Sequence, residues 1–192
     1  MTSKLQALPG FMLSAFGMVT MVIVTVAGPP AIAEAVDPIK CRYAQAKLGA
    51  EPMVCHDRAS FVAKAKQSGL YFRKSLGAKD VFDAPDVFPL VAKLVSLYND
   101  EDAMVMAQYI FPANDAENSY RKIRVALDKQ YGVGKRVVGF ERSPVFEYKW
   151  HLRDGVVVSF KRRKGSSNAR LTYSRPHMAR AFLSKQGYRP AR

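Results

Sequence analysis

The side chains able to do chemistry are few and widely scattered. The histidines are His56, His151 and His177, and none forms an H-x-H or H-E-x-x-H metal spacing. The two cysteines are Cys41 and Cys55, much too far apart for a C-x-x-C redox site. Haem attachment needs C-x-x-C-H, but Cys55-His56 is preceded by Pro52 where the first cysteine would stand. Zinc needs four ligands, and Cys41, Cys55 and His56 leave one missing. No metal site and no cofactor are therefore expected.

Carboxylates give no clearer signal. Asp80, Asp83 and Asp86 stand three apart, whereas a calcium loop wants alternate carboxylates with a glycine and a later Glu. They read as turn acids and a helix cap. Glu141 and Glu147, near aromatics, come nearest to the paired carboxylates of glycan hydrolysis. There is no G-x-S-x-G, no P-loop and no G-x-G-x-x-G. Gly132-Val133-Gly134 is too short to cradle a phosphate and reads as a helix stop. No catalytic residue is assigned, and a non-enzyme is the expectation.

What remains is a cysteine pair and an uneven charge. Residues 1–33 read as an export leader: Lys4, an uncharged run from Phe11 to Gly28, then Pro29-Pro30 and the small-residue site Ala31-Ile32-Ala33. Cleavage after Ala33 is the first choice and after Ala35 the second. The alternative is an uncleaved anchor through residues 11–28, just long enough to cross a bilayer. Cys41 lies well beyond the apolar run, which argues against lipoprotein processing. The absence of an N-x-S/T sequon leans against a eukaryotic secretory protein, and the expected compartment is a Gram-negative periplasm, with secretion as the alternative. In an oxidising compartment Cys41 and Cys55 should form a disulfide that pins the mature N-terminus.

The expected fold is α+β: one domain over residues 34–187, an antiparallel sheet with helices packed on one face, and a loose tail at 188–192. Residues 41–100 read as a helical part pinned by the disulfide. Asp57 should cap a helix running from Arg58 toward Ser68. A second, nearly all-apolar helix should open at Asp86 and continue through Tyr98. Residues 103–187 read as the sheet-rich part. Met104–Phe111 suggests a strand with Val105, Ala107, Tyr109 and Phe111 on one face. Asn114-Asp115-Ala116-Glu117 matches a capping box, and Tyr120, Ile123, Leu127 and Tyr131 make one helical stripe ending at Gly132.

Phe146, Tyr148, Trp150 and Leu152 then alternate with polar residues, and Asp154-Gly155 marks a turn. A two-residue loop would mix polar and apolar side chains on each face. A three-residue loop, Arg153-Asp154-Gly155, pairs Trp150 with Val158 and Tyr148 with Phe160, which makes one face wholly apolar. Ala169–Ser174 should follow as a strand with Leu171 and Tyr173 inward. Pro176 should open a last helix with Met178, Ala181 and Phe182 on its apolar side.

The 192 residues carry a formal charge of +14, but not evenly. Residues 34–120 hold 10 Lys+Arg against 12 Asp+Glu, and residues 121–192 hold 19 against 4. The hairpin face opposite the core then presents Lys149, His151, Arg153, Lys161 and Arg163, with Arg170 from the next strand and Glu147 as a partial offset. Such a face suits an anionic envelope polymer or an acidic protein surface. Nucleic acid is disfavoured by export and by the lack of an RNP or helix-turn-helix signature. The expected function is thus an envelope binding or accessory protein. The alternatives are an inhibitor, immunity or assembly protein docking an acidic partner, and a cell-wall enzyme. Oligomeric state is not legible.

Overall fold

The computed structural model describes residues 41, 44–85, 87, 92–112 and 116–185. The expected leader and its cleavage sites, the cap at Asp86, the capping box at Asn114 and the tail lie outside these residues. Among the described residues no helix is long and apolar enough to cross a membrane.

A small ribbon of β1 (Lys47–Leu48) and β2 (Glu51–Pro52) opens the described chain. Helix α1 (Arg58–Ala65) follows. Four antiparallel strands succeed it: β3 (Tyr71–Leu76), β4 (Lys79–Ala84), β5 (Ala92–Tyr98) and β6 (Met104–Phe111). Helix α2 (Ala116–Tyr131) leads into four more: β7 (Lys135–Val138), β8 (Phe146–His151), β9 (Val157–Arg162) and β10 (Ala169–Ser174). Helix α3 (Pro176–Lys185) ends the described chain. The eight strands β3 to β10 make one sheet in the order β3-β4-β5-β6-β10-β9-β8-β7. The architecture is therefore a helix followed by a four-stranded meander, stated twice, with the last strand of each meander meeting the other at the centre. The α+β class expected from the sequence is what the chain adopts.

Local rules explain the helices. The Asp57 carboxylate accepts from the Ser60 amide at 2.7 Å and so caps α1. A 3₁₀ turn, Lys66–Ser68, extends α1, and Gly69 stops it in the left-handed region at φ 73°. In α2, Tyr120, Ile123 and Leu127 form the buried stripe that the spacing demands. Gly132, at φ 84°, ends it. Gly134 packs so tightly on Trp150 that a Cβ there would lie 2.3 Å from the indole ring. The indole Nε1 donates to the Gly132 carbonyl at 2.9 Å. The glycine pair is thus a helix stop fitted to a tryptophan.

One core fills the space between helices α1 and α2 and the sheet, and the buried Ala179 and Phe182 of α3 lie outside it. Phe61 of α1 meets Phe82 of β4 edge-on, and Tyr120 of α2 packs on Phe146 and Phe160. The β8–β9 hairpin has the expected register, Trp150 opposite Val158 and Tyr148 opposite Phe160. The Leu152 amide donates to the Val156 carbonyl at 2.9 Å, and Gly155 has φ 77°. Leu171 and Tyr173 of β10 face the core, as do Ala107, Tyr109 and Phe111 of β6. Val105 is an extra residue where the β5–β6 register shifts, and it lies outside the main core.

Four expectations are corrected. The helix expected through Tyr98 is strand β5 over Ala92–Tyr98. Its inward positions are Leu94, Ser96 and Tyr98, while Val95 and Leu97 on the other face are only half-buried. An apolar side chain on both faces of a central strand hides the two-residue period. The described residues of the part over 41–100, expected to be helical, are mainly strands, β1 to β5, with the two-turn helix α1. Asp80 and Asp83 are strand residues of β4, not turn acids. In α3 the buried residues are Ala179 and Phe182, and Ala181 is exposed.

Cys41 and Cys55 are disulfide-bonded, with Cα atoms 5.2 Å apart. The bond closes a loop around the β1–β2 ribbon. The ribbon is also stitched to the β8–β9 turn: the Gln45 and Ala46 amides donate to Asp154 Oδ2 at 2.8 and 3.0 Å, and the Arg153 amide donates to Gln45 Oε1 at 2.8 Å.

Candidate functional site

The strand pairing decides which bases share a surface. Opposite the core, β10 places Arg170 beside Lys161 of β9, which stands beside Glu147 of β8. The next row runs Gln108, Thr172, Ser159, Lys149 and Lys135, from β6 through β10, β9 and β8 to β7. Arg163 lies just past the end of β9, and the short loop to β10 folds back on itself through Ser166 Oγ, which donates to the Asn168 carbonyl at 3.0 Å. A pit of about 60 Å³ results, lined by Lys161, Arg163, Ser166, Asn168 and Arg170.

Electrostatics concentrate at Lys161. Burial lowers its pKa from the ordinary lysine value, and the charges of Arg163, Lys149 and Arg170 push the same way against the opposing pull of Glu147. Glu147 itself contacts Lys149 Nζ at 3.3 Å. Ser159, between Thr172 and Lys149, keeps its Oγ buried with no hydrogen-bond partner among the described residues. The cluster is therefore short of negative charge and holds an unused hydroxyl.

The sequence-predicted face is only partly one site. Lys149, Lys161, Arg163 and Arg170 come together. His151 lies on the same face but at the opposite end of β8, paired with Val157 and exposed. Arg153 sits in the hairpin turn, its amide tied to Gln45. Further bases of this face were not foreseen, Lys79 of β4 among them. Lys135 pairs with Lys149 from β7, a strand whose four residues are all exposed and which carries no period to find. Lys93 stands across from Ile110 in the row of Arg170, but it belongs to the strand that reads as a helix.

The other candidates have structural partners. His56 Nε2 lies 2.7 Å from Glu51, and His177 is exposed at the start of α3. Glu141 binds Arg124, which also binds Asp128. Glu141 also meets Tyr148, a core-facing residue, whereas Glu147 is on the opposite side of the sheet. The two carboxylates do not form a facing pair. Asp80 is buried and gripped by Arg58, Nη2 to Oδ1 at 2.7 Å and Nε to Oδ2 at 3.0 Å. Among the described residues no group of three or more His, Cys, Asp or Glu could hold a metal ion.

Comparison with protein-family models, with curated proteins and with solved structures found no match to this chain.

Proposed function

We propose that this chain is an exported, non-enzymatic protein of the bacterial periplasm that binds an anionic envelope polymer on the outer face of its sheet. The observation that carries the reading is the cluster of Lys161, Arg163 and Arg170 around a pit, with Lys149 and Glu147 as charged neighbours of Lys161. Such a cluster attracts polyanions and loses that attraction as salt rises. The disulfide fits an oxidising compartment, and the leader read at residues 1–33 would supply the route there. Phosphates of lipopolysaccharide and carboxylates of peptidoglycan are the polymer groups such a surface would meet.

The test is binding to purified lipopolysaccharide and to peptidoglycan at low and high salt, with the chain and with Lys161→Glu/Arg163→Glu/Arg170→Glu. Binding should fall steeply with salt and be abolished by the triple reversal. Salt-insensitive binding, or binding that survives the reversal in a folded variant, overturns the reading.

One observation favours a second reading, docking to an acidic protein. The edge strand β7 and the segment after it expose Val137, Val138 and Phe140, with the guanidinium of Arg136 4.0 Å from the Phe140 ring centre. An exposed strand edge flanked by bases suits an added strand from an acidic partner. A stoichiometric complex that withstands high salt and is lost on Val137→Lys would select this reading over the polymer.

A further inference from the structure

A second, separate cavity lies on the core side of the sheet, where the two helix–meander halves meet. Its floor is built from the two central strands. Tyr109 of β6 and Tyr173 of β10 pack edge-on with ring centres 6.3 Å apart, and Tyr131 of α2 contacts Tyr173 with the hydroxyls 3.4 Å apart. The β1–β2 ribbon crosses beside them. The Tyr109 hydroxyl meets the backbone of Gly49, and the Tyr131 hydroxyl meets the backbone of Lys47. Burial holds all three phenols in their neutral form. Gly49 sits so close to the 3₁₀ turn that a Cβ would stand 2.3 Å from the Ser68 carbonyl.

The space left open is about 660 Å³, within the usual range for small-molecule sites. Tyr109 and Tyr173 line it below, and the exposed side chains Lys47, Lys66, Gln67 and Gln130 line it toward solvent. No Asp or Glu is among its described lining residues. Ser68, also in the lining, is buried and its Oγ has no hydrogen-bond partner among the described residues. Two ammonium groups at the mouth, two amides and an aromatic floor are complementary to one kind of guest.

We infer that this seam cavity binds a small organic anion, a compound with a flat apolar body and one phosphate, sulfonate or carboxylate group. The ring would lie toward the tyrosines, and the charged group would meet Lys47 and Lys66 with the two glutamines beside it. The reading is independent of the polymer face, because Lys161 and Arg170 point to the other side of the sheet.

The probe is phenyl phosphate, titrated calorimetrically and by amide and aromatic NMR shifts into the full chain. Benzyl alcohol serves as the neutral ring and inorganic phosphate as the bare anion. Phenyl phosphate should saturate a single site, shift the Gly49 and Gly69 amides and the Tyr109 and Tyr173 rings, and bind at least about tenfold more tightly than either control. Lys47→Ala/Lys66→Ala, which alters only exposed side chains, should weaken it by about tenfold or more with an unchanged melting temperature. The inference is overturned by non-saturating titration, by shifts confined to the Lys161 and Arg170 face, or by undiminished affinity in the double variant. Lys161→Glu/Arg163→Glu/Arg170→Glu should leave phenyl phosphate binding intact, so failure of the polymer reading and failure of this one are distinguishable.

Discussion

At the residue scale, the most constrained charge is Asp80. It is 1% exposed on β4, and its carboxylate is held by the Nε/Nη2 edge of Arg58 and by the Ser75 hydroxyl at 2.6 Å. Arg58 also donates to the Gly77 carbonyl at 2.8 Å and lies 5.2 Å from the centre of the Tyr98 ring. One guanidinium thus ties the first turn of α1 to the β3–β4 hairpin. Removing it leaves a buried carboxylate without its cation, so Arg58→Ala should cost about 3 kcal/mol in urea unfolding. Arg58→Met/Asp80→Leu should recover most of that loss, since an apolar pair avoids the desolvation of both ions. A double variant no more stable than the single one would show that the ion pair is not the source of the effect. This residue also shows why the sequence is opaque here. An acid at an inward strand position breaks the alternation Lys79, Val81, Asp83 against Phe82 and Ala84, and the arginine that permits it lies on another element.

At the element scale, legibility tracks exposure of one face. The β8–β9 hairpin has a polar outer face and an aromatic inner one, so its period and register could be argued in advance. Helix α2, amphipathic with a glycine stop, was equally readable. Strand β5 was not, because Val95 and Leu97 on its outer face remove the contrast. Edge strand β7 was not, because none of its residues is buried. The basic face inherits these limits: bases on β8, β9 and β10 were found, and those on β4, β5 and β7 were missed. The β1–β2 ribbon has too few residues to show any period, and its position comes from the disulfide and from Asp154. Cys41→Ser/Cys55→Ser should therefore lower stability by about 3 kcal/mol. Hydrogen exchange should speed first at the amides of Ala46 and Met53, the latter bonded to the Ala46 carbonyl at 2.9 Å. Amides of β6 and β10 should keep their protection, and their early loss would mean that the ribbon supports the whole sheet.

At the scale of the whole molecule, the sheet is two meanders joined along β6 and β10, a duplication of topology that no fixed-period repeat in the sequence announces. Val81-Phe82-Asp83 on β4 and Val145-Phe146-Glu147 at β8 take the second place in each meander, with Phe82 and Phe146 each fully buried. Each half taken alone would expose a central strand along its length, with Tyr109 or Tyr173 uncovered. Separate fragments ending and starting between residues 112 and 116 should thus be unfolded or aggregated alone. Mixed, they should form a folded one-to-one complex with native near-ultraviolet dichroism. A fragment that folds cooperatively by itself would refute the dependence of each half on the other.

The ribbon's stitch to Asp154 also imposes an order in time. The Cys41–Cys55 loop can close as soon as its own short stretch of chain exists, yet Gln45 and Arg153 are separated by 108 residues. A chain made from its N-terminus must therefore carry an oxidised but undocked ribbon until the β8–β9 turn has emerged. The ribbon therefore emerges early and docks only once most of the chain has followed, and the seam it crosses stays open until then.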